Sequence, residues 1–195
     1  GHSDALLVKA GSGLVTFGET SSAGVPKAFA EETLVLPLND MEALKEAFTS
    51  YPDQIACVII EGIPANNGLL IQTQEYVEFL RQITHDHGAL LIFDEVITGF
   101  RLGFEGAAAY YNVQPDILTY GKIIGGGMPV GAYGASAEIM GYISPDGGVY
   151  QAGTLSGNPV AMAAGIAQLT VLSQSGFYEE LANKTAEFVA DIRTH

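Results

Sequence analysis

Tryptophan is absent from this 195-residue chain, and cysteine occurs once, as Cys57. A single thiol cannot close an internal disulfide, so the fold must rest on buried apolar surface rather than cross-links. Basic residues are scarce too: 8 Lys and Arg stand against 22 Asp and Glu, leaving a net charge of −14. A surface of that sign repels nucleic-acid phosphates and anionic lipid, so neither nucleic acid nor a membrane surface is expected as a partner. No apolar run approaches the ~18 residues a spanning helix needs. The opening Gly1-His2-Ser3-Asp4 lacks the basic n-region of a secretory signal. Together these absences predict a cytoplasmic protein, in which Cys57, set in the apolar run Ile55–Ile60, packs in the core.

What is present is a hydrophobic share of 48%, ample for one sizeable core. Short apolar runs alternate with amphipathic stretches, the pattern of an α/β fold with parallel strands. Strands are expected at Ala5–Ala10, Leu34–Leu36, Ile55–Glu61, Ala89–Asp94 and Ile117–Gly121, and over Gly131–Ala135. Asn39 or Asp40 is placed to cap a helix reaching about Ser50, with Met41, Leu44, Ala47 and Phe48 at helical spacing. A second helix is predicted over Thr73–His87, turning Tyr76, Val77, Leu80 and Ile83 inward. Glu105–Asn112, Val160–Ser173 and Phe177–Arg193 supply three more, and Ser136 caps a short one. His85 and His87, just ahead of Gly88, have an ordinary place at a helix C-terminus, so no metal site is expected. The Gly/Ser-rich tract Gly11–Pro26 has no period and reads as a long loop, a frequent form for an active-site lid.

Two charges sit where apolar strands end. Asp94 closes Ala-Leu-Leu-Ile-Phe, and Lys122 follows Ile117–Gly121. Ligands in open α/β sheets collect at the carboxyl ends of such strands. A carboxylate there can hold a protonated ring nitrogen, and a nearby lysine can form a Schiff base with an aldehyde. Pyridoxal phosphate enzymes need both groups. The lysine must lose its proton to act, which partial burial would favour. A P-loop ATPase also ends a strand in an acid, but it requires Lys followed by Ser or Thr, and Lys122 is followed by Ile123. Gly125-Gly126-Gly127 then clear side chains from a tight turn or a close approach to ligand.

FDEVITGFR at 93–101 and TYGKIIGGGMPVGAYGA at 119–135 resemble the cofactor core of the class III, fold-type I aminotransferases. VKAGSG at Val8–Gly13, GVP at Gly24–Pro26 and YQAGTLSGNPVAMAAG at Tyr150–Gly165 extend the match over nearly the whole chain. The resemblance implies a three-layer transferase large domain over 1–195 with a mostly parallel sheet, Gly131–Ala135 running antiparallel. It also implies that an N-terminal segment and a C-terminal small domain lie outside these residues. Pyridoxal 5'-phosphate, alternating with its pyridoxamine 5'-phosphate form, is the implied cofactor.

Lys122 is then the catalytic residue and Asp94 the partner of the pyridine nitrogen. Val96 packs on the ring, or is simply a core valine. Ser12 approaches the cofactor, or turns the chain between two glycines. Asn66 contacts the site, or with Asn67 forms an Asn-Gly turn ahead of Gly68. The resemblance implies Glu-Pro and then Gly-Asn in that loop; Gly62 and Ala65 depart from this pattern, and Asn66 keeps it. Gly153 and Thr154 would reach a cofactor phosphate held mainly by the other subunit, which implies a homodimer with shared sites. As a lone motif Thr154 would be a helix-entry residue. The implied substrate is a small amino-aldehyde whose amine moves within one molecule. An exchange of amine between two molecules, and a non-catalytic truncated domain, are the competing expectations.

Overall fold

Residues 6–8, 16–17, 22–66 and 68–194 are described by a computed structural model of the chain. They divide into two compact units, Gly1–Val58 with Gln72–Ala89, and Ile59–Ile71 with Leu90–His195.

The first unit contains β1 (Thr16–Phe17), α1 (Lys27–Ala30), β2 (Leu34–Val35), α2 (Met41–Ser50) and α3 (Gln74–Asp86). β1 and β2 pair antiparallel, Thr16 opposite Val35. α2 begins where Asp40 accepts a hydrogen bond from the Ala43 N–H at 2.9 Å, an N-cap that satisfies one orphan donor of the first turn. Thr73 does the same for Tyr76 at the start of α3. Asn39 does not cap α2 but turns the chain ahead of it, with φ at 59°, and accepts from the Thr73 N–H at 2.9 Å. Leu44, Ala47 and Phe48 of α2 and Tyr76, Val77, Leu80 and Ile83 of α3 are buried, as the helical spacing predicts. α3 is capped at its C-terminus by His87, and Gly88 follows in the left-handed region at φ 65°. Of the expected strand Ala5–Ala10, residues 6–8 are described and Val8 makes an isolated bridge; the rest lies outside the described residues.

The second unit holds β4 (Leu90–Asp94), β5 (Ile117–Tyr120) and β6 (Ala132–Ala135) of a sheet of order β3-β4-β5-β6, whose β3 (Cys57–Ile60) begins in the first unit and ends in the second. β4 and β5 are parallel, in the register Ile92 to Ile117 and Asp94 to Thr119. β6 is antiparallel to β5. Along β4 the side chains alternate as a pleated strand requires: Leu91 and Phe93 are fully buried, and Leu90, Ile92 and Asp94 half-buried. The Asp116 carboxylate accepts from the Leu91 N–H at 2.7 Å and fixes the entry to β5.

β3 departs from expectation. It is shorter than Ile55–Glu61, and Cys57 is exposed rather than in the core. The reason is positional: β3 is an outer strand of this sheet, so an apolar run need not be covered on all sides.

Three helices complete the unit besides the short α4 (Gly106–Tyr110): α5 (Ala137–Met140), α6 (Pro159–Leu172) and α7 (Phe177–Thr194). Asn158 caps α6 by accepting from Ala161 at 3.0 Å, with Pro159 at the first helical position, where its missing N–H costs nothing. Among the described residues, no single helix is long and apolar enough to cross a membrane.

Candidate active site

The register of β4 and β5 decides where the two charged residues fall. Asp94, the last residue of β4, lies opposite Thr119, and Lys122 comes three residues later, just past the end of β5. Both therefore stand at the carboxyl edge of one parallel strand pair, 28 residues apart in sequence.

Asp94 is half-buried, and one of its carboxylate oxygens accepts from the Val96 N–H at 2.9 Å. That bond holds the side chain against its own backbone and leaves the second oxygen as an acceptor. Lys122 begins a one-turn 3-10 helix, Lys122–Gly125, with φ at 49°, a left-handed conformation that non-glycine residues seldom adopt. The sequence predicts partial burial of this lysine, but it is exposed. It opens onto a cavity of about 630 Å³ that Gly126, Gly127, Met128 and Gln168 also line, and a turn facing a cavity lacks the neighbours that would cover it.

Val96 packs over Gly121: a Cβ at Gly121 would sit 3.2 Å from its Cγ1. The residue before Lys122 thus has no side chain because Val96 occupies that space. The turn is buttressed from behind by α6. A Cβ at Gly165 would lie 2.6 Å from the Ile124 carbonyl oxygen, and one at Gly126 (φ 57°) 2.8 Å from the carbonyl carbon of Ala164. Two backbones meet here, and only glycine permits it.

Glu61, directly after β3, is a third charged group at this edge. Its half-buried carboxyl is raised above the ordinary value, first by burial and then by the negative charge of Asp94, with Lys122 pulling the other way. The signal for it was in the sequence, an acid ending an apolar run just as Asp94 does. Gly62, which departs from the usual pattern, is buried beneath α4: its carbonyl accepts from the Tyr111 hydroxyl at 3.2 Å, and a Cβ would lie 2.8 Å from that of Ala107.

Asp94, Val96 and Lys122 are brought together; the other predicted residues are more scattered. Asn66 is exposed in the turn after Glu61. Gly153 and Thr154 are both exposed. Gly153 lines a smaller cavity of about 260 Å³ with Pro129, Ser156 and Asn158, and Thr154 does not. Ser12 and most of the loop Gly11–Pro26 lie outside the described residues.

A parallel strand pair presenting a fixed carboxylate and an open lysine at one edge puts both groups where open α/β sheets bind their ligands. The particular family follows from comparison. The profile of the class-III aminotransferases matches residues 1–194, and the chain belongs to that family. It is 56% identical over 184 residues to the glutamate-1-semialdehyde 2,1-aminomutase of Sulfurihydrogenibium sp. (strain YO3AOP1), covering 94% of this chain and 43% of that protein. It is 54% identical over 194 residues to the enzyme of that name from Neisseria meningitidis serogroup C (strain 053442), covering 100% and 45%. The chain thus spans less than half the length of these relatives. Among solved structures it is similar to an omega-transaminase from Sphaerobacter thermophilus, with TM-score 0.81 and 36% identity over 89% of this chain and 41% of that one.

Proposed function

We propose that this chain is the cofactor-binding large-domain part of a pyridoxal-phosphate-dependent glutamate-1-semialdehyde 2,1-aminomutase, which forms 5-aminolevulinate for tetrapyrrole synthesis. The observation that carries the reading is the placement of Asp94 and Lys122 at one carboxyl edge of β4 and β5. Identity above 50% to aminomutases, against 36% to the omega-transaminase, favours the intramolecular reaction.

The residues fit the cofactor. Asp94 has one oxygen fixed by Val96 and a second able to accept from a ring N–H, Val96 offers an apolar surface beside it, and Lys122 presents its amine at an open cavity. When bound, pyridoxal phosphate supplies an aldehyde that captures amines and a ring that takes up the electron pair of a breaking C–H bond. Asp94 would keep a proton on the ring nitrogen. Lys122 Nζ would hold and move the protons exchanged between the cofactor and the substrate. Gly153 and Thr154, exposed here, would serve the cofactor phosphate of a second subunit in a cytoplasmic homodimer. Asn66 and Ser12 would complete the cofactor site. Since the chain spans under half of its relatives' length, it should be inactive, or nearly so, by itself.

The test uses the full-length protein. Added pyridoxal phosphate should produce a visible absorbance band that is absent in Lys122→Ala and lost on borohydride treatment. Glutamate-1-semialdehyde, supplied with no second amine donor or acceptor, should then give sustained 5-aminolevulinate formation. A band without such turnover would assign an ordinary aminotransferase. No band would refute the roles of both Asp94 and Lys122.

A further inference from the structure

The orientation of Asp94 depends on the Val96 N–H, and the residue between them is itself unusual. Glu95 is 1% exposed. It continues the alternation of β4 onto the buried face, where an apolar side chain would be the ordinary choice. A carboxylate in that position is costly unless its oxygens are bonded. Here they are: Glu95 accepts from the Thr98 hydroxyl, from the Ala107 N–H at 3.0 Å and from the Ala108 N–H at 2.8 Å. Space for the carboxylate is made by Gly106, whose φ is 68° and where a Cβ would lie 2.8 Å from Glu95 Cδ. Its main chain is held as well. The N–H of Glu95 donates to Thr119 O at 2.9 Å, and its carbonyl accepts from the Gly99 N–H at 2.8 Å.

We propose that Glu95 is a positioning residue, whose buried carboxylate ties α4 to the 95–99 turn and so fixes the Val96 N–H that orients Asp94. The functional part of this inference rests on the reading of Asp94 as a cofactor-binding residue. Side chain and main chain of Glu95 pin both ends of a five-residue turn, and Val96 lies inside it. Without the carboxylate, three donors lose their acceptor and the turn loses its tie to α4.

Amide hydrogen exchange and cofactor affinity, measured on the full-length protein, test this. In Glu95→Gln the amide group must place an NH₂ against a backbone N–H. Exchange at Val96, Ala107 and Ala108 in the cofactor-free protein should then accelerate by about ten-fold or more, and the dissociation constant for pyridoxal phosphate should rise by about ten-fold. Gly106→Ala presses on the same carboxylate without changing any charge and should give the same signature, which keeps the test available if Glu95→Gln does not fold. Asp116→Asn, which weakens the opposite end of β4, should lower Tm without moving Val96 exchange. The proposal is overturned if Ala107 and Ala108 exchange faster while Val96 and the cofactor affinity stay at wild-type values. Faster Val96 exchange with unchanged affinity also overturns it, since Asp94 would then not depend on the turn. A wild-type protein with no Lys122-dependent band would refute the proposed function instead, and Val96 exchange would still decide whether Glu95 holds the turn.

Discussion

Replacing Gly165 by Ala separates the stability of this fold from the placement of its lysine. The new Cβ would stand 2.6 Å from the Ile124 carbonyl oxygen, whereas ordinary contact begins at 3.4 Å, so one partner must move by roughly 0.8 Å. Neither yields cheaply, because the obstruction is backbone on one side and a helix interior on the other. Ile124 is two residues from Lys122, inside the same single turn. Overpacking costs about 1–3 kcal/mol, but alanine is favoured over glycine within a helix by about 1 kcal/mol. The net loss of stability is therefore about 0–2 kcal/mol, a Tm shift of a few degrees. Displacement of a catalytic amine by about 1 Å costs on the order of 100-fold in rate. In the full-length protein, Gly165→Ala should thus lower kcat by about 10- to 100-fold while lowering Tm by no more than a few degrees. Steady-state conversion of glutamate-1-semialdehyde beside a thermal melt measures both. A raised Tm with kcat within about two-fold of wild type would mean that the contact relaxes away from Lys122, and the buttress argument would fail.

Glu61 gives a pH prediction. Its folded-state value is raised, so the folded protein binds this proton more tightly than the unfolded chain, and stability falls as pH rises through the range between the two values. Glu61→Gln should flatten that fall. Asp94→Asn should bring the Glu61 carboxyl down, read by carboxyl NMR; an unmoved titration would refute the coupling. In the first unit, burial, with Asp40 adding, pushes Tyr76 up to about 12 from an ordinary value of 10.0. Above that ordinary value the unfolded tyrosine ionises and the folded one does not, so stability is lost with rising pH. Tyr76→Phe should remove that share of the alkaline loss in urea unfolding. Gly62→Ala puts a Cβ 2.8 Å from that of Ala107 in a buried site and should cost about 1–3 kcal/mol by urea unfolding.

The features legible in the sequence are those whose physics is local. Asp40 and Ser136 cap helices through N–H groups three residues on, so their role depends only on a short window of the chain. Asp94 and Lys122 were legible for a related reason, since each ends an apolar run and the ends of parallel strands share an edge. Burial is another matter. Cys57 sits in an apolar run yet is exposed, because a run records hydrophobicity and not what lies across the strand. The exposure of Lys122 follows from a cavity lined by residues as distant as Gln168. Glu95 was silent for the same reason. An acid next to Asp94 looks like more of the same charge, and only Gly106, Ala107 and Ala108, folded back against it, turn it into a buried acceptor. Gly165 is one small residue in an Ala-rich helix until Ile124 arrives from forty-one positions earlier. The placement of Asp94 and Lys122 is therefore written in strand ends, and the close contacts around them in glycines and a carboxylate whose partners lie elsewhere in the chain. Substitutions at Glu95, Gly106 and Gly165 should accordingly impair function while leaving every recognisable motif intact.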